Sequence, residues 1–318
     1  MNWSIQFRFY LIPGGVVILG RMIPPRQVVS ASRRSDVPAF HAEWLMGRLR
    51  AGWCEVRNPF GGQVRCVDLR PDAVLALVLW TRDPTPLLPH LSELAERGYR
   101  ALFQITCNAY PAPLEPRAVP TSRVVAAAAR IVEVMGEASV VWRYAPVILT
   151  DPTPPAYHLD RASALAGRLE GLTDTCVTSF VDLYRKTLRN LEPVLAAAGI
   201  GLLPPDTARD VALIRDLAAA VSGHGMKLEL CCEPGHVSEH AGRARCVDDR
   251  RLERLLGAPV SLRAAPSRKG CGCRASVDIG AYDTCARGCV YCYANRSPEA
   301  GRAGRAAVDP GAPSMHRR

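Results

Sequence analysis

A chain of 318 residues is long enough for one large domain or two smaller ones, and 48% hydrophobic with 22% charged residues is the balance of a soluble globular protein. The net charge of +10 is uneven: residues 1–242 carry 25 basic and 23 acidic side chains, residues 243–318 carry 15 and 7. Twelve cysteines in a chain this long exclude a small secreted disulfide scaffold, and eight of them fall from Cys231 onward. Crowding of that kind suits a metal or cluster better than a disulfide framework and implies a reducing, cytoplasmic compartment.

In chain order, the apolar run Phe9–Gly20 is too short for a membrane span and is broken by Pro13 and two glycines, so residues 1–25 read as an extension outside the fold. No later segment is apolar enough to cross a membrane. From residue 26, short β-branched runs alternate with amphipathic stretches. Strands are expected at Val28–Arg33, Cys54–Asn58, Leu75–Thr81, Ala101–Thr106, Val140–Tyr144, Cys176–Val181, Lys227–Cys231 and Ser276–Gly280. Helices are expected at Ala39–Arg50, Leu87–Gly98, Thr121–Met135, His158–Leu169, Thr207–Ser222 and Asp249–Leu255, with Gly52, Gly98, Gly136 and Gly223 placed for left-handed caps. Eight such units predict an α/β fold, a (β/α)8 TIM-type barrel spanning residues 26–295. Residues 296–318, rich in Gly, Ala, Pro and Arg, read as a disordered basic tail.

Function in such a barrel sits where strands end. Here those ends are polar, with Ser30, Ser32, Arg33, Arg34, Asp36, Arg57 and Arg143 as candidates to line a ligand-sized mouth. The densest signal lies further on. Asp283-Thr-Cys285-Ala-Arg-Gly-Cys289-Val-Tyr-Cys292-Tyr-Ala-Asn295 has the spacing C-x3-C-x2-C. Three thiolates so close can wrap one face of a cubane and leave its fourth iron open to a ligand. A structural zinc site is the competing reading, although zinc usually takes two closely spaced pairs.

This loop resembles that of radical S-adenosylmethionine enzymes, with Tyr291 at their usual aromatic position, and Gly-Cys-Val-Tyr-Cys-Tyr-Ala is similar to the spore photoproduct lyase branch. The resemblance implies a [4Fe–4S] cluster on Cys285, Cys289 and Cys292 whose open iron chelates S-adenosylmethionine. It further implies an electron donor of the flavodoxin or ferredoxin type, and hydrogen abstraction from an unidentified substrate. Superfamily members carry the loop after the first barrel strand, whereas here it follows the last, so the barrel is expected to be circularly permuted. Ser276–Gly280 then takes the first-strand role, pairing with both Val28–Arg33 and Lys227–Cys231. By the same analogy Ser30, Ser32 and Arg33 help hold the cofactor's amino group.

The region Val28–Asn295 also resembles an uncharacterised bacterial family, domain of unknown function 1848. The match is carried by Ser30-Ala-Ser-Arg-Arg-Ser-Asp-Val-Pro38, Val56-Arg-Asn-Pro59, Trp80-Thr81, Trp142-Arg-Tyr144, Cys231 with Glu233, Cys246-Val-Asp248, Cys271-Gly-Cys273 and Ser276–Tyr282. Where that family tends to have Asp after Trp-Arg-Tyr, this chain has Ala145. Four cysteines remain beyond the loop. Cys231, Cys246, Cys271 and Cys273 leave open an auxiliary [4Fe–4S] cluster, one tetrahedral zinc, or core cysteines. Cys232 is the poorer ligand, since strand neighbours point to opposite faces. The basic C-terminal third keeps a metal-stapled nucleic-acid-binding protein as the second functional reading.

Overall fold

The computed structural model describes residues 5–12, 15–22 and 26–316. Among the described residues, strands β1 (Ile5–Ile12) and β2 (Gly15–Met22) pair only with each other, antiparallel. The expected extension over residues 1–25 lies in part outside the described residues. Next come β3 (Gln27–Ala31), α1 (Val37–Phe40), α2 (Ala42–Ala51), β4 (Trp53–Arg57), β5 (Val64–Asp68) and β6 (Val74–Thr81). After α3 (Leu91–Glu96) the chain runs through β7 (Ala101–Thr106), α4 (Thr121–Met135), β8 (Val140–Val147), α5 (Pro155–Leu169), β9 (Thr175–Phe180), α6 (Arg185–Ala197), α7 (Thr207–Ser222) and β10 (Lys227–Leu230). It finishes with β11 (Gly242–Arg243), α8 (Asp249–Leu256), β12 (Val277–Asp278) and α9 (Pro298–Ala306).

Eight strands form one parallel sheet in the order β11-β10-β9-β8-β7-β6-β3-β12. The fold is α/β. β12 pairs with β3, as Val277 with Val29 and Asp278 with Ser30, but not with β10 as expected. β10 instead gains β11 as its outer neighbour. No ladder joins β11 to β12; one backbone bond, Arg274 N to Val247 O at 2.9 Å, links the segments beside them. The expected barrel strand Cys54–Asn58 is a strand, yet β4 takes β5 as its strand partner in a hairpin separate from the sheet. Its alternation of buried Cys54 and Val56 with more open neighbours marks a half-buried ribbon and cannot name the partner. Helix α6 answers to no sequence expectation. Gly52, Gly98 and Gly136 do take positive φ, whereas Gly223 stays helical at φ −58° and Gly225 makes the turn.

Alternation along the strands splits the core in two. Val29, Leu77, Phe103, Trp142 and Leu228 face the helices, with α2, α4, α5 and α7 packed on them. Val28, Val78, Leu102, Val141 and Val177 gather on the other face with Cys231, Cys246, Cys271 and Cys273. In the helix layer, His158 is fully buried, accepting from the Tyr144 hydroxyl (2.9 Å) at Nδ1 and donating from Nε2 to Ile148 O (3.1 Å). Burial lowers its pKa to about 4. Between pH 6.5 and 4 the unfolded chain therefore takes up a proton that the folded one refuses, and stability falls by about 3 kcal/mol as pH drops through that window. Urea denaturation at pH 7 and pH 4.5 measures this, and His158→Gln should flatten the difference.

The expected disordered tail is a correction. Ser297 caps α9 by accepting from Ala300 N at 3.2 Å. The chain beyond α9 then lies along α2 and β4, with Trp44 Nε1 donating to Ala312 O (3.0 Å), Glu55 N donating to Pro313 O (2.8 Å) and Met315 buried. Its Gly and Ala content, read as a sign of disorder, instead permits close packing.

Candidate iron–sulfur site

All strands of the sheet are parallel, so their C-terminal ends share one edge, and the loop Asp283–Asn295 leaves β12 at that edge. Asp278 organises the junction. Its carboxylate accepts from Ser32 Oγ (2.8 Å), Ser30 Oγ (3.2 Å), Arg33 N (2.8 Å) and Gly280 N (3.0 Å), which ties the end of β3 to the exit of β12. A Cβ at Gly280 would overlap Ser32. Ser30 also accepts from Trp80 Nε1 at 3.0 Å. These contacts occupy the hydroxyls of Ser30 and Ser32, expected as cofactor contacts, in holding the scaffold. Replacing Asp278 by Ala strands four donors, at about 1–3 kcal/mol for each one left buried without water. We expect a loss of at least about 3 kcal/mol in urea denaturation, with Asp278→Asn losing less.

The loop is pinned from several elements. Val290 N donates to Leu114 O (3.2 Å), Tyr293 Oη to Arg33 O (2.7 Å), Arg117 Nη1 to Ala286 O (3.3 Å) and Asn295 Nδ2 to Cys285 O (2.7 Å). His41 Nε2 donates to Thr284 O at 2.9 Å. Gly288 takes φ 82° just before Cys289, a conformation open to glycine. Helix α9 presses on the loop through Gly301 and Gly304, where a Cβ would overlap Cys285 O and Asp283 O. Cys285, Cys289 and Cys292 are all half-buried. Burial pushes the Cys289 thiol up to about 12, and that of Cys285 up as well, so both lose a proton only against a bound metal.

Charged groups surround them. Arg82 donates to Glu115 (2.7 Å) and to the Tyr291 hydroxyl (2.7 Å), and its backbone N donates to Asp36 (2.9 Å). Burial would lower the Arg82 pKa, yet Glu115 and Tyr291 hold it well above its ordinary value. Asp36, expected at the mouth as a catalytic group, caps α1 by accepting from Ala39 N at 3.1 Å, and burial raises its pKa. Arg287 reaches Asp36 (4.0 Å) and Asp83 (3.8 Å). Arg34 stacks on Tyr282 and donates to Gly280 O (3.4 Å). Arg57 stands apart, exposed on the hairpin β4–β5. A small cleft of about 10 Å³, open to solvent, adjoins the loop between Arg82, Asn108, Glu115 and Arg287. Ser35 Oγ, on the segment after β3, and Arg287 Nε and Asn295 Oδ1, on the loop itself, are buried without a partner. Such atoms, beside three half-open thiols, fit a charged, hydrogen-bonding ligand.

Sequence reasoning named the cysteines, Tyr291 and the β3 end, but not Asp278, Trp80, Arg82, Glu115 or Arg287. Trp80 and Asp278 lie in the family motifs and Arg287 in the cysteine loop; Arg82, and Glu115 in a long connection, carry no local signal. Arg143 points to the second cysteine group. Its Nη1 donates to Cys246 Sγ (3.2 Å), and Cys231 Sγ lies 3.4 Å from Cys246 Sγ. Cys273 contacts both Cys246 and Cys271. Cys232, expected on the opposite face, comes within 3.9 Å of Cys231 because β10 ends at Leu230 and Cys232 takes φ 66°. Among the described residues, no three His, Cys, Asp or Glu side chains already surround a common point as an ion site. No helix among them is long and apolar enough to cross a membrane.

No curated protein matches the chain significantly. Among solved structures it is similar to the tetrameric deoxyribose phosphate aldolase of Aeropyrum pernix, at 12% identity, over 74% of this chain and 82% of that one, with a TM-score of 0.26, too low to carry any argument. The family profile described as domain of unknown function, DUF1848, matches residues 28–294. The run from β3 through the cysteine loop is thus one family unit, and the chain belongs to the DUF1848 family.

Proposed function

We propose that this protein is a radical S-adenosylmethionine enzyme whose [4Fe–4S] cluster is held by Cys285, Cys289 and Cys292. One observation carries the reading. A C-x3-C-x2-C loop, anchored at both ends, sets three half-buried thiols at the C-terminal edge of a parallel sheet, directly beside β3. That placement supports a permuted barrel, with β12 in the first-strand position and the gap between β11 and β12 as its seam. When bound and given one electron by a donor of the flavodoxin or ferredoxin type, the cluster and S-adenosylmethionine would supply a 5′-deoxyadenosyl radical for hydrogen abstraction, with methionine as the other product.

The chain's own groups position and shield. Ser35 and Arg287 have unpartnered polar atoms suited to the amino and carboxylate groups of the cofactor. Tyr110 packs edge-on to Tyr291 and Val290 is buried, which keeps water from the protein side of the loop. The basic C-terminal third gives the nucleic-acid reading little support. Arg251 pairs with Asp174, Arg274 with Asp249, Arg268 with Asp182 and Arg296 with Asp283, so much of its charge is spent within the chain.

Anaerobic reconstitution with iron and sulfide, followed by dithionite and S-adenosylmethionine, tests the proposal. The expected result is a brown protein with about 4 iron atoms per loop that forms 5′-deoxyadenosine and methionine. A protein that takes up no iron, or takes it up and leaves S-adenosylmethionine intact, overturns it.

A further inference from the structure

We propose that Cys231, Cys246, Cys271 and Cys273 hold a single four-coordinate divalent ion of the zinc type, buried beneath the mouth, which staples the β10–β11 edge of the sheet to β12. Four thiols reach one place from three segments. Cys231 follows β10, Cys246 follows β11, and Cys271 and Cys273 precede β12. Each is at least nine-tenths buried, unlike the half-buried loop cysteines.

Spacing separates one ion from a cluster. Four sulfurs about 2.3 Å from one tetrahedral zinc stand about 3.8 Å from each other. In a cubane each thiolate binds a different iron and the sulfurs stand further apart. Cys231 and Cys246 are 3.4 Å apart, and contacts continue through Cys273 to Cys271. No thiol–thiol hydrogen bond joins Cys285, Cys289 and Cys292 among the described residues. The inner thiols form a chain, so binding closes it into a tetrahedron by side-chain rotation and releases four thiol protons.

Charge points the same way. Arg143 donates to Cys246, and Arg33 lies beside Cys246 and Cys273; the two guanidiniums stack on Trp80, each 5.2 Å from its ring centre. Among the described residues neither lies within ion-pair distance of a carboxylate, and Arg33 Nη2 is buried without a partner. Two half-buried cations without a carboxylate partner demand compensation. A divalent ion with four thiolates carries a net charge of −2, which balances them. The staple also falls where the sheet has no ladder, at the seam spanned by the Arg274–Val247 bond.

The full-length chain with Cys285, Cys289 and Cys292 all changed to Ala separates this centre from the loop. Metal analysis of that variant should find about one zinc per chain and no iron. Cobalt grown in its place should give the intense visible bands of a tetrahedral thiolate complex. Adding Cys246→Ser should remove the metal, whereas adding Cys232→Ser should keep it. Should the Cys246 variant not fold, thiol alkylation of the triple variant with and without chelator replaces it, with four more thiols reacting after chelation. A triple variant that holds iron and sulfide, or no metal at all, overturns the proposal whatever the loop does with S-adenosylmethionine.

Discussion

An alanine at Cys285, Cys289 or Cys292 is expected to reduce 5′-deoxyadenosine formation to background. Loss of an outer-shell partner alone commonly costs about 10–100-fold in metal affinity or activity, so loss of one of three direct ligands should exceed about a hundredfold. The loop around the thiols is fixed by hydrogen bonds with Leu114, Arg33 and Asn295. The fold should therefore survive. Each variant should keep the wild-type circular dichroism and melting temperature within a few degrees while its iron content collapses. Deoxyadenosine formation undiminished in any one of the three would remove that cysteine from the site, and with it the open-cluster assignment.

A second large effect is expected far from the thiols in sequence, at Gly304. Glycine to alanine inside a helix ordinarily adds about 1 kcal/mol of stability. Here the added Cβ would overlap Asp283 O, and overpacking of that kind costs about 1–3 kcal/mol. Helix α9 must then lift from the loop, releasing the contact between Gly301 and Cys285 O as well. Gly304→Ala should lose most of the loop iron and open the chain to trypsin at Arg287, whereas Arg302→Ala, which removes an exposed ion pair with Glu299, should do neither. Wild-type iron content and protease resistance in Gly304→Ala would show that α9 does not hold the loop.

Much of the sheet was legible because a strand with helices on one face and a core on the other alternates between two sets of buried side chains. β6, β7, β8 and β9 all carry that signature, and α4 and α7 run over the expected residues. What the pattern lacks is a partner. Cys54–Arg57 alternates as a strand should, and only the following Val64–Asp68 decides that it makes a hairpin rather than a barrel stave. β11, with two residues, is too short to have a period at all. At the site, spacing singled out the three loop cysteines, since ligands to one centre are close in sequence. Asp278 and Glu115 were missed because the side chains they meet lie far off in sequence, Ser30 248 residues from Asp278 and Arg82 33 from Glu115, and a carboxylate alone carries no spacing to read. The tail shows the reverse error. Gly301 and Gly304 look like flexibility in a composition and are close approaches in the fold.

The pairing of β3 with β12 has a bearing on how the protein is made. Ser30 and Asp278, which meet there, are 248 residues apart. At about 5–20 residues per second, a ribosome needs about 12–50 s to supply the second strand after the first. Throughout that interval one edge of β3, with its apolar Val28 and Val29, has no neighbour to close it. An uncovered strand edge of this composition invites pairing with other nascent chains. Closure then depends on a contact of very high sequence separation, which is intrinsically slow. Demand for a chaperone should accordingly be greatest before residue 278 has left the exit tunnel, and overproduction should yield inclusion bodies that shrink when translation is slowed by cold.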